Sequence, residues 1–147
     1  MKSCFFIGPK DDSRDISPAL VTAVEQHVVQ HGVTGFVVGN DGTFDCLAAE
    51  AVIAVKERYP HITLTMLLPY PSEKFSQMPP AGFDNVFYPP GMELVQRRFA
   101  IARASRYMVD HVHYLIIHAQ NASGDIKNLE DYAKMRESYG LLTVTEL

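Results

Sequence analysis

Short apolar, β-rich runs alternate along this chain with segments of helical periodicity, and that alternation constrains the fold more than any other feature. Cys4 to Ile7 is the first run, stopped by Gly8-Pro9-Lys10-Asp11-Asp12. Ser17-Pro18 carries an N-cap and first-turn signature, and Leu20, Val24, Val28 and His31 follow at helical spacing until Gly32, which predicts a helix over 17–31. Gly35 to Gly39 is a second strand, Asn40-Asp41-Gly42 a turn, and Thr43 opens a helix over Phe44 to Arg58. His61 to Leu68 is a third strand, Asn85 to Tyr88 a short one, Met92 to Ser105 a helix, Tyr114 to His118 a strand, Asn128 to Tyr139 a helix and Leu141 to Val144 a last strand. Strands alternating with helices of about 10–15 residues imply right-handed crossovers. The expected fold class is α/β, a three-layer α/β/α sandwich with a mainly parallel sheet.

One domain over 1–147 is expected, because a chain of this length buries roughly two-thirds of its unfolded surface and rarely splits into two cores. Between Pro69 and Pro90 lie six of the nine prolines, which marks a functional loop or excursion. The net charge of −4 argues against a general nucleic-acid binder, whose phosphate contacts need a basic surface. No apolar run approaches the roughly 20 residues that span a bilayer, and the start is too short for a signal peptide. A soluble, cytoplasmic protein without membrane partners is expected. Cys4 in a strand and Cys46 in a helix, without a CxxC pair, both read as buried reduced thiols.

In an open parallel sheet, ligands bind beyond the carboxyl ends of the strands. The loops so placed are Gly8 to Arg14, Gly39 to Asp45, Pro69 to Ser72 and Ala119 to Asn128. Gly39-Asn40-Asp41-Gly42-Thr43-Phe44-Asp45 is the strongest of them. Its glycines permit a sharp turn and close ligand approach, Thr43 can cap the helix, and first-turn amides suit an anion. Asp45 competes for the same positive helix end, so it suits ribose hydroxyls or an amino group better. The same residues also describe a plain strand-to-helix turn with a favourable helix-start charge. Glu50, about two turns further on, is either a partnered carboxylate or a solvent-facing one.

Arg97, Arg98, Arg103 and Arg106 are four of the seven arginines. Val95, Phe99, Ala102 and Arg106 share a helical face, which turns Arg106 inward, with Asp110 or an anionic ligand as its partner. Ala122-Ser123-Gly124-Asp125-Ile126-Lys127-Asn128 is a second turn into a helix, in which Lys127 can neutralise a phosphate or face solvent. His118 ends a central strand and reads as a site residue or a structural histidine. Neither the i,i+4 pair His27 and His31 nor His111 and His113 comes with an HExxH motif or a Cys/His cluster, so no metal site is expected.

Four segments together resemble the SLOG superfamily, the Rossmann-like group that includes the DNA-processing protein DprA/Smf and the Lonely Guy phosphoribohydrolases, and above all its YpsA-like branch. They are Cys4-Phe5-Phe6-Ile7-Gly8, Gly39 to Asp45 running into Ala48-Ala49-Glu50-Ala51-Val52, Leu67-Leu68-Pro69-Tyr70, and Ser105-Arg106-Tyr107-Met108-Val109-Asp110. The resemblance implies a Rossmann-like domain that binds a nucleotide or nucleotide-derived ligand, and a homodimer. The chain departs from the group's pattern at two places. Pro9-Lys10 stands where His-Arg often follows the first glycine, and Gly124-Asp125-Ile126 stands where a Gly-Gly-Thr-like turn is common.

Two functional readings follow. In the first, Gly8, Lys10, Gly39, Gly42, Thr43, Asp45, Arg106, Gly124 and Lys127 form a nucleotide-type binding site without assigned turnover. In the second, the protein is an N-glycosidic hydrolase or transferase acting on a nucleoside monophosphate. Asp45 or Glu50 would then stabilise an oxocarbenium-like sugar, and Arg106 would hold the phosphate.

Overall fold

The computed structural model describes residues 1–11, 15–71, 78–120 and 122–147. Parts of three expected loops, at 12–14, 72–77 and 121, lie outside the described residues. Six strands form one sheet: β1 (Lys2–Ile7), β2 (Val33–Val38), β3 (Thr63–Leu67), β4 (Asn85–Phe87), β5 (Tyr114–Ile117) and β6 (Thr143–Glu146). Their spatial order is β4-β3-β2-β1-β5-β6, and every neighbouring pair is parallel. The chain therefore builds outward from β1 in one direction, then crosses back to β5 and builds in the other. This is a Rossmann-like α/β fold with its topological switch between β1 and β5.

Helices α1 (Ser17–His31) and α2 (Thr43–Lys56) cover one face, and α3 (Ala100–His111) and α4 (Gly124–Ser138) cover the other. The period of two along β1 divides its side chains between these layers. Cys4 and Phe6 join Leu20, Val24, Phe36, Ala48 and Val52 on the first face. Phe5 and Ile7 join Ala104, Met108, Leu115, Leu129 and Ala133 on the second. Both faces of the central strands are buried, which is why β1 and β5 read as continuous apolar runs rather than alternating ones.

Several local readings change. Ile16 takes the N-cap position of α1 without a side-chain cap bond, Ser17 lies inside the first turn, and Asp15 just ahead accepts the Ser17 N–H on its Oδ1 at 3.0 Å. The segment predicted as a helix from Met92 to Ser105 is two 3₁₀ turns, Met92–Leu94 and Arg97–Phe99, followed by α3, which continues to His111. Val95 and Gln96 are extended and interrupt the helical phase. Helix α4 begins at Gly124, four residues before the expected Asn128, because Ser123 takes the N-cap position and Asp125 supplies a first-turn charge. Cys4 is buried, but Cys46 is exposed on the outer side of α2 and departs from the buried-thiol expectation.

His27 is the most costly polar group in the core. It is 1% exposed, its Nδ1–H donates to the Ala23 carbonyl at 2.6 Å, and its Nε2 has no hydrogen-bond partner among the described residues. Burial lowers its pKa below the ordinary 6.5, helped by His31 beside it and opposed by the Ala23 bond. The unfolded chain then binds the proton more readily, so stability is complete above about 6.5 and falls as pH drops toward the lowered folded value. Replacing His27→Phe is expected to flatten the acid side of a Tm-against-pH curve below 6.5. An unchanged slope in the variant would show that other groups set the acid limb.

Candidate functional site

The carboxyl ends of β1, β2 and β3 converge with the α3 and α4 side of the sheet around a cavity of about 310 Å³. Its floor is Phe5, Ile7 and Leu67, all buried, and its apolar walls are Ile101 of α3 with Ile126 and Leu129 of α4. The rim comes from the β1 loop, Gly8 to Lys10, and from the β2 loop, Gly39 to Asp41, with Asp45 behind it. Ser105, Ser123 and Asp125 complete the polar lining. The cavity sits at the switch between β1 and β5, where crossovers diverge and leave the strand ends uncovered.

The first two loops are locked together by backbone contact. Thr43 N–H donates to the Lys10 carbonyl at 2.8 Å, so Thr43 joins the loops through its amide instead of capping α2 with its hydroxyl. That bond brings the Lys10 backbone against Gly42, where an added Cβ would lie 2.5 Å from the Lys10 carbonyl oxygen and 2.7 Å from its Cα. Gly42 is required by this approach, since no side chain fits between the two loops. Gly8 is confined in the same way by the buried ring of Phe44, at 2.3 Å from an added Cβ.

Asp45 bends back over the β2 loop. Its Oδ2 accepts the Asp41 N–H at 2.9 Å and would stand 2.8 Å from a Cβ at position 39, so Gly39 leaves room for the carboxylate itself. Burial raises the Asp45 pKa above the usual carboxylate value, the Asp41 amide opposes this, and the Asp41 charge adds to it. A half-buried carboxyl that holds its proton more strongly than usual, beside a cavity, can serve as a proton donor or as an acceptor for hydroxyl and amino groups. Lys10 lies 3.5 Å from the Asp41 carboxylate at the exposed rim.

The remaining expected site residues divide. Gly8, Lys10, Gly39 and Asp45 line the cavity, and Gly42 and Thr43 support it from behind. Glu50 is exposed on α2, outside the lining. Arg106 is exposed too, because the buried face of α3 is Ala100, Ala104, Met108 and Val109; the inward assignment used the phase of a helix that starts only at Ala100. Its guanidinium stacks 4.2 Å over the Tyr132 ring, and Asp110 pairs instead with Arg136 at 3.6 Å and accepts the Tyr132 hydroxyl. Gly124 begins α4 without lining the cavity. Lys127 faces outward to Glu130 at 3.2 Å and Asp131 at 3.1 Å, so its charge is already answered. His118 is buried, stacks on Phe44 with centroids 6.4 Å apart and approaches the Leu147 carbonyl at 3.4 Å, which fits a structural histidine.

Sequence reasoning missed Ser105, Ile101 and Ile126 as lining residues. Ile101 and Ser105 are four apart on α3 and share a face once the helix is phased from Ala100. Among the described residues, no cluster of three or more His, Cys, Asp or Glu side chains could hold a metal ion, and no helix is long and apolar enough to cross a membrane.

Two solved structures of the molybdenum cofactor carrier protein from Chlamydomonas reinhardtii are similar to this chain. One is 11% identical with a TM-score of 0.46, covering 98% of this chain and 89% of that protein's chain. The other is 12% identical with a TM-score of 0.47, covering 98% and 88%. No protein-family model matches the chain, and no curated protein matches it at a significant level.

Proposed function

We propose that this chain is a single Rossmann-like unit of the SLOG type, cytoplasmic and homodimeric, that binds a small nucleotide or nucleotide-derived molecule. The observation that carries the reading is the cavity itself: apolar walls and convergent polar groups at the topological switch of a parallel sheet, the usual position for a ligand in this architecture. Asp45, Asn40, Ser105 and Ser123 supply orienting hydrogen bonds, and Phe5, Ile7 and Ile126 supply the apolar contact for a flat ring.

Thermal-shift and native mass-spectrometric screening against nucleosides, nucleotides and ADP-ribose-like compounds tests the reading. At least one member is expected to stabilise the fold, by about 2.7 kcal/mol when present at a hundredfold excess over its Kd. Silence across the whole panel would overturn it.

A second reading, N-glycosidic cleavage, is favoured by one feature, the raised pKa of the Asp45 carboxyl beside the cavity. Asp45 would then be the acid and base, since Glu50 lies outside the lining and Arg106 offers no phosphate anchor there. Chromatographic detection of free base, abolished by Asp45→Asn, would select this reading over binding alone.

A further inference from the structure

Resting on the binding reading above, we infer that the cavity takes the phosphate-free members of that ligand class, a nucleoside-type molecule with hydroxyl and amino groups on a flat apolar body.

Phosphate sites in this architecture need unsatisfied backbone N–H groups at a helix start, and preferably a cation. Here two of the backbone donors beside the cavity are engaged internally. The Thr43 N–H goes to the Lys10 carbonyl, and the Asp41 N–H goes to the Asp45 carboxylate. The positive ends of both helices that reach the cavity also carry their own acids, Asp45 in the first turn of α2 and Asp125 in that of α4.

Charge gives the same direction. Among the described lining residues there are three carboxylates, Asp41, Asp45 and Asp125, against the single ammonium of Lys10, which already stands beside Asp41. A phosphate dianion brought to the rim meets net repulsion from these described groups. A ribose diol or an exocyclic amine meets acceptors, because ionised carboxylates accept hydrogen bonds and donate none. At about 310 Å³ the cavity is also near the small end of the range for ligand pockets, roughly 300–1,000 Å³. A nucleoside is matched to that space better than a dinucleotide.

Isothermal titration of the full chain at low salt with adenosine, guanosine, cytidine and uridine, and with their four 5′-monophosphates, tests the inference. At least one nucleoside is expected to bind about tenfold or more tightly than its own monophosphate. Asp125→Asn should narrow that gap, because it removes one of the repelling charges from an exposed position. Added salt should narrow it in the unmodified protein through screening, which keeps the test independent of the variant. Monophosphate binding as tight as nucleoside binding would overturn the inference and leave the binding reading standing. A gap that ignores both Asp125→Asn and salt would overturn its electrostatic basis. Absence of binding by all eight compounds would overturn the inference, and the reading beneath it falls only when the wider panel with ADP-ribose-like compounds is silent as well.

Discussion

Gly42→Ala is expected to lower the melting temperature by roughly 3–10 °C, corresponding to about 1–3 kcal/mol of overpacking in a chain of this size. The methyl group would enter at 2.5 Å from the Lys10 carbonyl oxygen and 2.7 Å from its Cα, both backbone atoms that no rotamer change can move. Relief requires the β1 loop to withdraw, and withdrawal breaks the 2.8 Å bond from Thr43 N–H that ties the loop to the start of α2. The backbone at Gly42 is extended, with φ 171°, so the penalty comes from contact and not from a disallowed conformation. Gly35→Ala is the matched control. The nearest described atoms to its Cβ would be the Met1 Sδ at 3.6 Å, the Thr63 Oγ1 at 3.7 Å and the Ser3 Cβ at 4.0 Å, ordinary van der Waals distances, and stability should stay level or rise slightly. Paired thermal melts check this; equal behaviour of the two variants would show that the loop contact is soft.

The order of elements was legible because it depends on contrasts that local sequence carries well. Cys4 to Ile7 and Tyr114 to Ile117 are apolar on both faces, which only a covered parallel strand explains, and Gly32 ends α1 in the left-handed conformation that its lack of Cβ permits. The boundaries of α3 were not legible. Met92 to Phe99 has residues spaced as on a helix, but Gly91, Val95 and Gln96 break it into 3₁₀ turns of a different period, and the resulting phase error carried Arg106 to the wrong face.

For the candidate site, the loops are legible in the sequence, but the close contacts that their glycines permit within the protein are not. Gly8 and Gly39 line the cavity, and together with Gly42 they also clear space for protein groups: the Phe44 ring, the Asp45 carboxylate and the Lys10 backbone. Such pairings join residues from different loops, so no spacing rule reveals them. Lys127 was legible as a cation but not as one already paired, since Asp131 reaches it only after α4 is extended back to Gly124. Removing these presumed anion contacts leaves Asp45 as the charged group shared by the expected site and the observed cavity with the most internal constraint upon it.

Asp45→Asn should therefore raise stability while weakening ligand binding. Because burial and the Asp41 charge raise the carboxyl's folded pKa above its ordinary 3.8, the folded chain holds this proton longer than the unfolded chain does. Stability is then fullest below about 3.8, declines as pH rises through the folded value, and stays reduced at neutral pH. The asparagine carries no charge, and its carbonyl oxygen can still accept the Asp41 N–H that Asp45 Oδ2 takes at 2.9 Å. The variant's melting temperature should exceed the unmodified protein's near pH 7, with the difference closing as both are acidified toward 3.8. Binding should move the other way. A hydrogen bond from ligand to an ionised carboxylate is worth about 1.5–3 kcal/mol, so its loss should weaken the Kd by roughly tenfold to a hundredfold. A buried acid retained only as part of the turn would give the stability gain without the binding loss, and one essential to the turn would give a loss of both. Only a carboxylate held at a cost to the fold for the sake of a ligand gives opposite signs, because the desolvation that burial imposes on it is what hydrogen bonds from a bound hydroxyl or amino group offset.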